Sequence, residues 1–254
     1  MAKSGGMGHR LLIDGYDPSS DITQVNNLST PMTTQDVTGI DKYGHERIGL
    51  LHDAMAEFNH AWNPSNAGTA DAIHQVLRGL PTTDRQVTYL AGQTLGAPAF
   101  SLITKQVNYD WNRANDGSMT GTTSCQGNSY GGAWGVNLTA GKRTDTVAGN
   151  GSTVDLGAVP ISYSFGWSMY LHVTAFTGTS VTIKVQDSAD ASAWLDLASA
   201  TFVAATAIGN QRVGTAAGST ATVRRYVRVV SSGTFTNAVY AVNFVRNEAA
   251  KYPS

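Results

Sequence analysis

One alternation constrains this chain more than any other feature. Ala54, Ala56, Phe58, His60 and Trp62 fall on one face, and Met55, Glu57, Asn59 and Ala61 on the other. A period of two is the pattern of a strand with one covered face. Asn63, Pro64, Ser65 and Asn66 end it, because proline cannot donate to a ladder and Asn and Ser favour turns. Upstream, residues 38–49 carry charge, three glycines and few apolar side chains. They read as a long loop entering a long strand, and loops of that length in a compact domain are usually functional or disordered.

Composition supports a β-rich chain. Charged residues make up 14%, well below the usual quarter, while Gly reaches 27 and Ser and Thr are frequent. Surface helices normally carry Glu and Lys. The low charge also fits a surface largely covered by other subunits. The formal net charge is −1, which gives no electrostatic reason to bind nucleic acid. Residues 1–150 hold 10 basic and 13 acidic side chains, and residues 151–254 hold 7 and 5. The lone Cys125 has no partner for an internal disulfide. No apolar run approaches a membrane span, and the first ten residues lack a signal peptide's apolar core, so synthesis in a cytoplasm is expected.

In chain order, residues 1–8 read as an arm and residues 9–13 as a short strand. Asp14-Gly15 follows as a hairpin turn, with residues 22–28 as the returning strand and 29–34 as a polar connection. The best helix covers residues 69–80: Thr69 as N-cap, Asp71 in the first turn, Ile73, Val76, Leu77 and Leu80 on one face, Gly79 and Pro81 at the end. Strands follow at 86–91, 100–109 and 118–125. Residues 144–153 (TDTVAGNGST) have linker composition, which places a domain boundary there. Beyond it, strand signals recur at 164–174, 180–186, 194–197, 201–205, 211–215, 223–230 and 238–246, the mark of a β-sandwich.

Each candidate for chemistry also has a plainer role. His45, His52 and His60 fall seven and eight residues apart, without metal-ligand spacing. Gly127, Gly131, Gly132 and Gly135 match no phosphate loop and precede no helix. Asp14, Asp17 and Asp21 lack the glutamate and glycine of a calcium loop. Asp187, Asp190 and Asp196 flank a turn and read as calcium ligands of a lectin-like module or as solvated aspartates. Cys125 has no catalytic partner pattern, and Asn137-Leu138-Thr139 is a sequon by spelling only. Arg224, Arg225 and Arg228 form the basic cluster, better suited to salt bridges or subunit contacts than to phosphate. No catalytic, cofactor-binding or metal-binding residue is assigned, no cofactor is expected, and the chain is not expected to be an enzyme.

A resemblance carries the functional expectation. The runs DVTGIDKYGHERIGLLHDAMAEFNHAWNP (36–64), the helix at 69–80, LPTTDRQVTYLAGQTLGAPAFSLITKQVNYD (80–110), LTAGKRTDT (138–146) and RRYVRVVSSGTFTNAVYAVNFVRN (224–247) resemble tail tube (major tail) proteins of long-tailed phages infecting actinobacteria. The resemblance implies a mainly β fold: an N-terminal tail-tube-like β-sandwich or barrel with one helix over 1–147. An immunoglobulin-like or jelly-roll-like C-terminal β-sandwich over 154–248 projects outward as a decoration. It further implies a virion protein of the tail whose copies form hexameric rings stacked into a tube. Other partners would be tape measure, terminator and distal tail proteins, with genomic DNA passing through the lumen without specific binding. Residues 38–51 would contact the adjacent ring. The competing readings are a capsid decoration or other head protein, and a carbohydrate-binding module presenting Trp167, Tyr170 and Trp194.

Overall fold

The computed structural model describes residues 5–64, 71–157 and 162–248. Its strands in chain order are β1 (Arg10–Ile13), β2 (Ile22–Ser29), β3 (Met32–Asp36), β4 (Arg47–His52) and β5 (Met55–Ala61). After helix α1 (Ile73–Leu77) come β6 (Arg85–Leu90), β7 (Pro98–Gln106), β8 (Asp110–Arg113), β9 (Met119–Gly127) and β10 (Ala133–Asn137). Then follow β11 (Arg143–Asp145), β12 (Gly149–Asn150), β13 (Val154–Asp155), β14 (Ser162–Tyr163), β15 (Trp167–Ser188), β16 (Leu195–Thr201), β17 (Gly209–Gly214), β18 (Val223–Arg224) and β19 (Tyr226–Arg246). Fifteen of these strands belong to one sheet, so the fold is mainly β, as expected.

In the first half the strands run β1-β6-β7-β9-β5-β2. Leu11, Ile13, Ala56, Phe58, Val87, Phe100, Leu102 and Cys125 fill one core. The alternation seen in sequence is the cause: β5 buries Ala56, Phe58 and His60 and leaves Met55, Glu57, Asn59 and Ala61 half-buried. β5 lies between β2 and β9.

The helix is much shorter than residues 69–80, and Thr69 lies outside the described residues. Five residues cannot sustain an isolated helix, so distant side chains hold its ends. The Ile73 amide donates to Asp21 (2.9 Å). Arg85 and Gln106 donate to the Val76 and Leu77 carbonyls (2.8 and 2.9 Å). These groups take the place of the missing turns, while Ile73, Val76 and Leu77 enter the core.

The Asp14-Gly15 turn forms, with both residues at positive φ and Ile13 bridged to Tyr16. The hairpin expected from it does not: β1 pairs with β6 and β2 with β5. Local turn chemistry thus fixed the bend without choosing the partner strand.

The second half is built on a ribbon of two long strands, β15 and β19, paired from Trp167↔Arg246 to Ser188↔Tyr226. The separate short strands expected at 164–174 and 180–186, and at 223–230 and 238–246, are therefore two halves of continuous strands. The ribbon spans about 70 Å at roughly 3.3 Å per residue. Three register shifts interrupt it between Val173 and Ser180, and such bulges bend a strand. Both halves of the ribbon then line one core: Trp167, Met169, Leu171 and Val173 meet Val181, Ile183, Val185, Val227 and Val229.

The segment expected as a linker, 144–153, is instead part of the sheet. β11, β12 and β13 each pair with β19. Asp145 is buried and accepts from Arg143 Nε, the Ser231 hydroxyl and the Tyr240 hydroxyl at 2.6–2.7 Å. Small polar residues that look flexible in sequence here serve a strand edge.

β10 pairs with both β7 and β19, carrying the sheet from one half into the other. A buried polar seam reinforces the junction. The Gly15 amide donates to His172 Nδ1 (3.1 Å), so the neutral ring carries its proton on Nε2. That nitrogen sits 2.9 Å from Thr88 Oγ1, which bonds Ser101 (2.7 Å), which accepts from Asn243 Nδ2 (2.8 Å). Burial pushes the His172 pKa down to about 3, only partly opposed by Asp17.

Candidate assembly surface

β2–β3 and β4–β5 are one long hairpin pinched at Pro31, where the Asp53 amide donates to the Pro31 carbonyl (2.9 Å). Below the pinch, β2 and β5 lie in the main sheet. Above it, β3 and β4 pair only with each other. The loop expected over 38–49 is thus the tip and one strand of a projecting arm, and the polar connection at 29–34 contains the start of β3.

Every residue from 31 to 53 is exposed except the half-buried Thr38. Seven large apolar side chains nevertheless sit there: Met32, Val37, Ile40, Tyr43, Ile48, Leu50 and Leu51, with Ile40 and Tyr43 fully exposed. Their exposure breaks the rule that soluble chains scatter such groups singly. The arm has polar order of its own. Asp36 accepts from the Thr38 hydroxyl and amide and from His45 Nδ1 (2.5, 3.0 and 2.7 Å). The Thr38 hydroxyl bond, then that amide, hold its carboxyl below the usual range. The Glu46 amide donates to Thr38 Oγ1 and Val37 N to the Glu46 carbonyl (both 2.9 Å).

A lone two-stranded hairpin is marginal in water, and this one carries two unpaired edges. β2 adds another: it pairs with β5 alone, and no backbone bond from its outer side is formed among the described residues. β1 is different, because Ser19 both donates to and accepts from Leu11 across its free side. Free edges together with bare apolar side chains make an arrangement that takes up another β surface.

The residues singled out in the sequence do not converge on chemistry. His52 and His45 lie on the arm, whereas His60 is buried on β5, stacked on Tyr109 and edge-on to Trp111. Burial pushes its pKa down to about 4. Asp14 pairs with Arg85, Asp17 with Arg10 and Lys142, and Asp21 with Asn63 and the helix N-terminus. Asp187 pairs with Arg224, Asp196 with Lys184, and Asp190 closes its own turn through the Ser192 and Ala193 amides. Arg225 pairs with Asp155, so Arg224 and Arg225 form salt bridges, whereas Arg228 donates to Gln186 and lies over Trp194 at 4.3 Å.

Burial pushes the Cys125 thiol up to about 11. Asn137 is buried and accepts from the Thr139 amide and hydroxyl. Of the three aromatics in the sugar-binding reading, Trp167 and Tyr170 are each only 1% exposed, whereas Trp194 is half-buried. No group of metal-ligating side chains gathers among the described residues. Sequence reading missed that the arm is a paired ribbon. The alternation of Ile48, Leu50 and His52 with Arg47, Gly49 and Leu51 was the available signal.

No protein-family model and no curated protein matches the chain. Among solved structures, it aligns over 93% of its length with 98% of the Dit protein of phage SPP1, described as a hub adsorption apparatus in Gram-positive infecting phages, at 10% identity and a TM-score of 0.33. A chain from the tail of an empty GTA particle with C6 symmetry aligns over 51% of this chain and 97% of its own, at 14% identity and 0.36. A chain of the phage P2 baseplate in its activated conformation with Ca aligns over 93% and 98%, at 7% identity and 0.37. At such scores these likenesses carry no argument about the role of this chain.

Proposed function

We propose that this chain is a structural virion protein, a subunit of a phage tail tube that assembles as stacked rings around a DNA conduit. The observation that carries the reading is the arm at residues 31–53, whose apolar side chains and strand edges lack cover in a single copy. A head-to-tail contact that closes gives a ring, and rings stacked through a projecting arm give a filament. The motif resemblance at 36–64, 80–110 and 224–247 supports the same reading. In it, residues 154–248 project outward, tape measure, terminator and distal tail proteins are the further partners, and DNA passes without specific binding. A slight acidic excess over residues 1–150 suits such a conduit, since basic side chains would grip phosphates. No catalytic role is proposed.

Negative-stain microscopy of the purified full-length chain tests this. Tubes or stacked rings are expected, and they should vanish in an Ile48→Asp/Leu50→Asp variant that keeps the circular dichroism of the parent. A strictly monomeric parent at millimolar concentration, or ordering only on a capsid lattice, overturns it.

A further inference from the structure

A second feature lies beyond the foot of the arm, where Gly131 meets His52. A cavity of about 530 Å³ opens between β10, β13 and the end of β19, within the size range of ligand sites. Its wall carries Trp134, an indole 51% exposed although its strand is internal to the sheet. Phe100 supports the ring at 5.2 Å. Asn247, only 9% exposed, also lines the cavity. Its Nδ2 donates to the Phe165 carbonyl (3.0 Å). A carbonyl can only accept, which fixes the amide orientation. Asn247 Oδ1 is then left as a buried acceptor with no donor, an arrangement that costs free energy unless something supplies a hydrogen.

The rim adds Asp155 and Glu248. Arg225 and the Gly157 amide occupy Asp155 from one side, and Glu248 has no ion-pair partner among the described residues. Arg246 donates to the Leu156 carbonyl.

We propose that this cavity is a saccharide-binding site for a neutral pyranose. Asp155, Asn247 and Glu248 on its wall offer acceptors and the Arg246 guanidinium offers donors, so the ligand must bring donors as well as acceptors. The indole calls for an apolar face beside those donors. A pyranose has both: hydroxyls around its edge and a face of C–H groups. An anion finds no net positive charge, because Arg225 is already paired with Asp155 and Glu248 offsets Arg246 on the same wall. A cation would stack on the indole, yet it would meet the like charge of the Arg246 guanidinium on the same wall. This inference does not depend on the tube reading. It also moves the sugar platform from Trp167 and Tyr170, which are in the core, to Trp134.

The test is saturation-transfer difference NMR on the full-length chain in whatever oligomer it forms. The probes are glucose, galactose, mannose, rhamnose and N-acetylglucosamine, each alone, with choline chloride as the cationic comparison. Transfer to the C–H protons of at least one sugar is expected. Trp134→Phe should keep it and Trp134→Ala should abolish it. Asn247→Ala should weaken binding about tenfold, the equivalent of about 1.4 kcal/mol, with thermal unfolding reporting whether each variant is folded. Absence of transfer to every sugar, equal transfer in folded Trp134→Ala, or transfer to choline alone overturns the proposal. Tube formation is read separately by microscopy, so either result stands without the other.

Discussion

Two long antiparallel ribbons run through this protein, and solvent meets them in opposite ways. The β15–β19 ribbon is flanked along its length by β10, β11, β12, β13, β16 and β17, and its two halves share a core. The hairpin from β2 to β5 is covered only to Pro31, and its distal half projects bare. Bulges and glycines let the first ribbon bend back onto itself. Proline at the pinch of the second lets its distal strands leave the sheet. Length alone therefore does not decide whether a ribbon becomes core or arm. What decides is where the ladder breaks, and whether neighbouring strands exist on the far side of the break.

The comparison breaks most violently at Phe58. It is fully buried on the covered part of the arm's own hairpin, and Phe58→Ala should cost about 3–5 kcal/mol. Urea unfolding would read this directly. A loss below 1 kcal/mol would mean that the proximal half is no better covered than the distal half.

Acid tests the covered part of both ribbons next. His172 on β15 has its pKa lowered from 6.5 to about 3, so the unfolded chain binds a proton that the folded chain refuses. Stability from this group is full above pH 6.5 and falls as pH drops toward the folded value. Between pH 6 and pH 4 the loss is about 2–3 kcal/mol. His60 pulls in the same direction. His172→Gln should flatten the decline in a pH series of unfolding midpoints. A decline of equal slope in that variant would assign the acid sensitivity elsewhere.

The covered strand was legible because its pattern is local. Residues 54–62 announce their own burial, and Ile73, Val76 and Leu77 announce a helical face. The extent of the helix was not legible, because Asp21, Arg85 and Gln106 hold its ends from elsewhere in the chain. The partner of β1 was equally hidden, since a good Asp-Gly turn says nothing about which strand comes alongside. Residues 144–153 misled for the converse reason: a two-residue strand of Gly and Asn paired to β19 has no periodicity to show. The arm reads as a loop because Gly49 and the charged tip mask its pairing. Trp134 stood in a glycine-rich run that drew attention to phosphate loops rather than to the ring between the glycines.

A smaller effect is expected at the bend of the covered ribbon. Gly233 has φ +121, a conformation that side chains rarely adopt, and a Cβ there would clash with the Ser180 carbonyl. Gly233→Ala should cost about 1–3 kcal/mol and, because the two halves of the ribbon share a core, should appear as a lower melting temperature of the whole chain. An unchanged melting temperature would mean that the bend is not a fixed part of the fold.

The smallest effect on stability is expected on the arm, and it discriminates best. Ile48 and Leu50 lie on the same hairpin as Phe58 but are 49% and 45% exposed. Ile48→Ala/Leu50→Ala removes little that the isolated chain buries, so unfolding of dilute protein should shift by no more than about 0.5 kcal/mol. If the arm is covered only by another copy, the cost should appear in assembly instead. The concentration needed to form particles, read by light scattering, should rise at least about tenfold, or about 1.4 kcal/mol per contact. A variant that unfolds early yet assembles at the parent's concentration would reverse the contrast. The arm would then be an internal element of the fold, and the ring-stacking role would lose the surface on which it rests.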